Sequence, residues 1–255
     1  MPLSFYKKPG LVVYVTCGDP NLATTRAVVL AAIEAGADVI ELGVPFSDPV
    51  ADGPVIQLAS ERALKNGTSL AQVLTLAADV RQHAQSTGLV VFSYLNPILR
   101  MGMEKFCKVA RHAGVDGVLV TDLPVEEAGE YLQATSANDL APVFLAAPTS
   151  PDVRLKRIAA ASRGFLYAVS RTGVTGARQK LADDAQKLVR RLRRVTKLPI
   201  AVGFGISNAE QFSEVGEFAD AVVVGSAIVE TIERNRGREA AAVGKFITSL
   251  VGGVG

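Results

Sequence analysis

The sequence predicts an α/β protein of the single (β/α)8 TIM-barrel class, and three observations lead there. Short apolar runs alternate strictly with stretches of helical periodicity, eight such units fit within 255 residues, and no Ser-, Pro- or Gly-rich linker interrupts them. Alternation places a crossover helix after each strand, which makes the sheet parallel, and eight units in a domain-sized chain close that sheet on itself. Residues 1–255 are therefore expected to form one domain. Hydrophobic residues make up 49% of the chain and charged ones 20%, which is enough for a large core and too little charge for disorder.

The strand-like runs lie at residues 11–16, 37–42, 89–94, 115–121, 142–146, 165–169, 200–203 and 221–224. Each is short and apolar, as a strand covered on both faces requires. Helical spacing of apolar residues marks 21–35, 69–86, 103–113, 126–136, 152–162, 183–195, 208–215 and 226–235. The first run follows Lys7 and Lys8 and superficially resembles a secretory leader, but Gly18-Asp19-Pro20 stands where a small-residue cleavage site would be. No apolar run approaches the length of a membrane span. Cys17 falls in a strand and Cys107 in a helix, so both are expected to be packed and reduced, which fits the cytoplasm.

The second run carries the most informative residue. Strand alternation puts Glu41 on the side of Val39 and Ala37, with Ile40 and Leu42 on the other. If one side packs on helices, a lone carboxylate on the opposite side at the strand's end sits in a pocket mouth, where it is easy to protonate. The following loop is stiffened by Pro45, Pro49 and Pro54 and presents Asp48 and Asp52. Asp52 is the better partner for Glu41, since a shielded and a wetter carboxyl group in one cleft can divide proton donation and acceptance. The plainer alternative makes both aspartates turn formers beside the prolines.

A faint repeat, Glu34-Ala-Gly-Ala-Asp38, His112-Ala-Gly-Val-Asp116 and Glu217-Phe-Ala-Asp220, sets an aspartate just ahead of three strands. It reads as a structural device on the face of the barrel away from the site. On the other face, at the C-terminal strand ends, residues 170–177 combine Gly173 and Gly176 with small hydroxyl residues, the composition of a lid. Gly203-Phe-Gly205 and Gly225-Ser226 each run into a helix, where freed backbone N–H groups suit a phosphate, although the same glycines could serve only tight turns. As a dinucleotide fingerprint the pattern is weak, because Asn208 stands at the third glycine.

Other chemistry is disfavoured. His83 and His112 have no third ligand at metal spacing, so no metal is implied. Ser47, Ser170 and Ser226 lack a histidine partner, and no lysine stands at a strand end for Schiff-base chemistry. A net charge of +2 and a pI near 8.5 are too weak to argue for nucleic acid. Arg190, Arg191, Arg193, Arg194 and Lys197 read as a solvated helix face, with no aromatic residues among them.

The stretch Glu41-Leu-Gly-Val-Pro-Phe-Ser-Asp-Pro-Val-Ala-Asp-Gly-Pro54 resembles the signature of the tryptophan synthase alpha subunit family. The similarity continues through Thr16-x-Gly-Asp-Pro20, Ser170-Arg-Thr-Gly-Val-Thr-Gly176, Gly203-Phe-Gly-Ile-Ser207 and Gly225-Ser-Ala227. The resemblance implies a cytoplasmic, cofactor-free lyase that splits indole-3-glycerol phosphate into indole and glyceraldehyde 3-phosphate by a retro-aldol reaction. It implies Glu41 as proton donor and acceptor and Asp52 as the holder of the indole N–H. Tyr14, Phe92, Leu119, Leu145, Tyr167 and Phe204 would then line the indole pocket, Gly176, Gly205, Gly225 and Ser226 the phosphate site, and Thr175 would close over Asp52. The implied partner is the pyridoxal-phosphate beta subunit in an alpha2-beta2 assembly, met by the loop containing Asp48. Only ten residues form the start before the first strand, where many members carry an extra helix across the barrel bottom. Three alternatives stay open: a stand-alone lyase releasing free indole, a non-catalytic phosphate-binding activator of the beta subunit, and another phosphate-binding barrel such as an isomerase.

Overall fold

The computed structural model describes residues 3–5, 7–169, 178–203 and 205–252, with the backbone alone at 178–182. Among these residues β1 (Gly10–Thr16), β2 (Val39–Gly43), β3 (Gly88–Ser93), β4 (Gly117–Val120), β5 (Ala141–Val143), β6 (Leu145–Ala146), β7 (Leu166–Val169), β8 (Ile200–Gly203) and β9 (Ala221–Val224) form one sheet. Every pairing is parallel, in the order β5-β4-β3-β2-β1-β9-β8-β7-β6. Its two edges, β5 and β6, are separated in the chain by Phe144 alone, and the Tyr167 N–H donates to the Phe144 carbonyl at 3.2 Å. They are two halves of one strand that changes partner from β4 to β7, so the sheet returns to itself as an eight-position barrel.

Alternation sorts the strand side chains into two layers. Val12, Val39, Val90, Leu119, Val143, Phe165, Ala201, Ala221 and Val223 pack together inside the barrel. Leu11, Val13, Ile40, Leu42, Val91 and Val222 pack outward against the helices. Ala37, expected on the inner side with Glu41, belongs to the outer layer: β2 begins only at Val39, so strand periodicity does not reach it.

The helices differ from expectation in instructive places. Helices Pro54–Lys65, Leu95–Met101 and Glu239–Val251 were not predicted, and the run from 126 splits into a short 3-10 turn, Val125–Glu127, and the helix Gly129–Ala137. Pro54 opens its helix at the first position, where the missing N–H costs nothing. The helix predicted from 183 runs over Arg178–Arg193. Its basic cluster is not all solvated. Arg191 donates to Asp152 Oδ1 and to the carbonyls of Pro148 and Ser150, and Arg193 pairs with Asp220.

The repeated aspartates do one job at the N-terminal face. The side chains of Asp38, Asp116 and Asp220 accept from the N–H groups of Leu11 (2.8 Å), Leu89 (2.9 Å) and Ile200 (2.8 Å). Each of these donors lies at the start of the neighbouring strand, whose carbonyl in turn accepts from the same aspartate's N–H. Each carboxylate thus satisfies a strand-end donor that would otherwise be lost from the ladder. Arg81 adds bonds to Asp116 Oδ2 and to the carbonyls of Ala84, Gln85, Thr87 and Gly114.

Leu3 and Phe5 close the barrel bottom from the inside. Leu3 is 3% exposed and joins the interior cluster, and Phe5 stacks on Phe165 with ring centroids 5.6 Å apart. Glycines make the room, because a Cβ on Gly88, Gly117 or Gly164 would fall within 3 Å of Leu3. Leu3→Ala should therefore cost about 2–4 kcal/mol in a urea unfolding series. A loss below roughly 0.5 kcal/mol, the size of a surface substitution, would show that this segment does not close the barrel.

Candidate active site

Glu41 sits on β2 between Val39 and Gly43, pointing inward, and is fully buried. Among the described residues neither of its carboxyl oxygens has a hydrogen-bond partner. Burial without a partner disfavours the charged form, and the carboxyl pKa is pushed up to about 8. A group like this holds a proton at neutral pH and can still give it up.

Two phenols share its apolar surroundings. Tyr14 is the register partner of Glu41 on β1, and its hydroxyl accepts from Thr16 Oγ1 at 3.4 Å. Tyr167 stands on β7, beside Leu145 in register. Burial raises both phenol pKa values well above the usual tyrosine value, and the negative charges of Asp52 and Glu41 raise them further. Both carboxyl groups therefore act on both phenols across the low-dielectric barrel mouth. Two strand-end glycines give the phenols space. A Cβ on Gly43 would lie 2.4 Å from the Tyr14 oxygen, and one on Gly203 would lie 2.9 Å from that of Tyr167.

Asp52 hangs over this volume from the loop between β2 and the helix Pro54–Lys65. Its N–H donates to the Pro49 carbonyl at 3.0 Å, and its own carbonyl accepts from Gln57 Nε2 at 2.9 Å. The side chain is not spent on a turn: Oδ2 accepts from the Tyr94 hydroxyl at 3.1 Å, and the same hydroxyl accepts from the Ala51 N–H at 2.9 Å. Burial pushes the Asp52 pKa up to about 6, with the Tyr94 bond holding it down. The two carboxyl groups are thus offset, Glu41 the more reluctant to ionise. Asp48 is exposed on the same loop and accepts from the Ser47 hydroxyl at 2.6 Å.

Phe92 and Leu119 lie in register with Gly43 across β2, β3 and β4, and Phe92 meets Tyr14 edge to face at 5.1 Å. With Leu145 and Tyr167 they give the upper interior an aromatic and aliphatic wall. Of the two glycine-marked helix starts, Ser226–Arg234 has no side-chain cap on Gly225; the Ile228 N–H donates to the Gly225 carbonyl at 2.9 Å, which leaves the N–H groups of Ser226 and Ala227 open among the described residues. The start of Ala209–Gly216 is already occupied, since Asn208 accepts from the Gln211 N–H and Gln211 accepts from the Ser207 N–H. Gly205 adopts φ +63°, a backbone that only glycine takes easily, with open space where a Cβ would be. Thr175, Gly176, Phe204 and the lid expected at 170–177 lie outside the described residues.

Gln57 escaped the sequence reading, and so did the parts played by three strand-end residues, Tyr94 as donor to Asp52 and Gly43 and Gly203 as room for the two phenols. Tyr94 and Gln57 act through contacts made only after folding. The glycines carried a weak local signal, standing at strand ends on the inner face. No group of three or more His, Cys, Asp or Glu side chains that could hold a metal exists among the described residues. Nor is any described helix long and apolar enough to cross a membrane.

Comparison with known proteins gives a consistent result. A family model described as tryptophan synthase alpha chain matches residues 3–252. The chain is 52% identical over 225 residues to the tryptophan synthase alpha chain of Methylococcus capsulatus, covering 88% of this chain and 84% of that one. It is 50% identical over 245 residues to that of Geobacter sp. strain M21, covering 96% and 91%. Among solved structures, a mutant tryptophan synthase alpha-subunit from Pyrococcus furiosus superposes with a TM-score of 0.89 at 41% identity, covering 97% of this chain and all of that one. A Mycobacterium tuberculosis tryptophan synthase chain gives 0.89 at 36% identity, covering 97% and 93%. The chain belongs to the tryptophan synthase alpha chain family.

Burying Glu41 has a measurable consequence for stability. Between its ordinary value of 4.5 and the folded value of about 8, the folded state keeps a proton that the unfolded state has released. Stability therefore falls as pH rises through that window. Glu41→Gln should remove this dependence, and its advantage over the wild type should grow from pH 5 to pH 8 to on the order of a few kcal/mol in urea unfolding. A pH-independent difference would contradict the raised pKa.

Proposed function

We propose that in this member of the tryptophan synthase alpha chain family Glu41 and Asp52 divide the work of cleaving indole-3-glycerol phosphate into indole and glyceraldehyde 3-phosphate. The observation that carries the assignment is the pairing of a buried carboxyl on β2, unpartnered among the described residues, with a second carboxyl held over the same apolar mouth. The family reaction breaks the bond between C3 of the indole ring and the glycerol side chain. Glu41, protonated, gives its proton to C3, and the positive charge that appears at the ring nitrogen is met by the Asp52 carboxylate. The Glu41 carboxylate then takes the proton of the glycerol hydroxyl as the carbon–carbon bond breaks. Its electrons return to the ring, the aldehyde forms and Glu41 ends protonated, so the cycle is balanced in protons.

The wall of Tyr14, Phe92, Leu119, Leu145 and Tyr167 suits a flat apolar ring. The open helix start at Gly225 and Ser226, with Gly205 beside β8, suits the phosphate. Thr175, Gly176 and Phe204 keep the family roles given above as part of the proposal. Alpha chains of this family work with a beta subunit, and here the Asp48 loop is proposed as its docking site. Val50 on that loop is 82% exposed, Leu58 and Leu99 are half exposed, and a cleft of about 430 Å³ lined by Val44, Pro45, Phe46 and Met101 opens beside it.

Indole release from indole-3-glycerol phosphate tests the assignment. Glu41→Gln and Asp52→Asn should each lower turnover at least about a hundredfold with the fold intact, and near-normal turnover in either would remove that residue from the mechanism. In the wild type kcat/KM should fall below pH about 6 as Asp52 is protonated, and above pH about 8 as Glu41 loses its proton. Adding the beta subunit should raise the rate. A fast rate that ignores the partner would favour a stand-alone lyase.

A further inference from the structure

Among the described residues three helices stand outside the strand–helix alternation: Leu95–Met101, which leads into Met103–His112, and two that share a contact. Pro54–Lys65 and Ser226–Arg234 are each followed by a second helix, Leu70–His83 and Glu239–Val251, instead of leading directly to a strand. They pack on each other, and Ala59 and Val229 meet over Tyr14, flanked by Val55, Ile56 and Phe92. Together they roof the barrel mouth. The first begins two residues after Asp52, and the second begins at Gly225 and Ser226. Their mutual position therefore sets the distance from the loop carboxylate to the proposed phosphate end. The apolar contact between them is only a few side chains wide, too small to fix sliding by itself.

The far ends of both helices converge on Asp19, in the loop after β1. Its carboxylate is 2% exposed and accepts a fork from Arg62, Nε at 2.9 Å and Nη2 at 2.8 Å, together with Arg236 Nη2 at 3.3 Å. Arg62 also donates Nη1 to Glu233 at 3.0 Å, which ties the end of one roof helix directly to the end of the other. The anchor itself is held. Gly18 N–H donates to Thr25 Oγ1 at 3.0 Å, and Asn66 Nδ2 donates to the Pro20 carbonyl at 2.5 Å. Gly18, at φ +92°, leaves no space for a Cβ against Thr68. A bidentate guanidinium on a buried carboxylate fixes direction as well as distance. The ladders of the barrel do not involve these groups.

We propose that Asp19 is a positioning residue for the cleavage reaction: it locks the two roof helices together and so holds Asp52 and the Gly225–Ser226 helix start at the spacing the substrate needs. This rests on the site reading above. Arg62 holds the helix behind Asp52, where displacements of an ångström cost about a hundredfold in rate, so its loss acts mainly on turnover. Arg236 follows the phosphate-end helix, so its loss acts mainly on substrate binding.

The test combines steady-state kinetics with hydrogen exchange read by mass spectrometry on the full chain. Arg62→Gln should lower kcat roughly tenfold with KM for indole-3-glycerol phosphate nearly unchanged, and Arg236→Gln should raise KM roughly tenfold with kcat nearly unchanged. Asp19→Asn should do both, and should speed exchange in peptides 51–60 and 225–232 while β3 to β7 stay protected. Equal effects of the two arginine variants on kcat and KM, changes under twofold in all three variants, or unaltered exchange over both roof helices would overturn the proposal. If Asp19→Asn fails to fold, the two arginine variants decide by the same split. If the wild type releases no indole, the function reading fails, and the exchange pattern alone decides whether Asp19 locks the roof.

Discussion

A carboxyl group buried without a partner among the described residues is the constraint around which the molecule is arranged. Taking Glu41 out of water costs several kcal/mol if it stays charged, so the folded chain keeps it protonated. That condition needs an apolar interior dry enough to hold the proton, which the inward rows of valine, leucine and aromatic side chains provide. It also needs a strand that ends where the group can still reach a ligand. The offset from Asp52, which keeps Tyr94 as donor and partial access to water, follows from the same physics applied at the rim.

The two ends of the barrel divide stability from chemistry. At the N-terminal end the polar groups are matched: Asp38, Asp116 and Asp220 each take a strand-end N–H, Arg81 gathers four carbonyls and a carboxylate, and Leu3 closes the bore. At the C-terminal end the pattern reverses. Among the described residues Glu41 is unmatched, the Ser226–Arg234 start has no side-chain cap, and Val50 is left in solvent. Polar groups left unsatisfied by the fold are the ones available to a substrate or a partner.

How much of this was legible in the sequence depended on how local the cause was. The inward direction of Glu41 follows from a period of two and needs nothing else. Ala37 was misplaced because that period was carried two residues past the strand's true start. The aspartate repeat could be seen as a structural device, but its acceptor role depends on strand register and appears only in three dimensions. The helix at Pro54 was missed because a proline after Asp-Gly was taken as the end of a loop, although proline is equally at home in a helix's first turn. The helix Leu95–Met101 likewise carries a proline, Pro97, in its first turn. Tyr94 under Asp52, Gly43 under Tyr14 and Arg62 on Asp19 join residues about 30 to 43 positions apart, so no local pattern announces them.

The raised pKa of Glu41 is tested by titrating the side chain itself, by infrared difference spectroscopy of the wild type against Glu41→Gln from pH 4 to pH 10. A protonated carboxyl band assigned to Glu41 should persist through neutral pH and disappear near pH 8. A band lost near pH 4.5, the ordinary value for the side chain, would show that Glu41 is solvated or paired, and the acid–base division between Glu41 and Asp52 would fall with it.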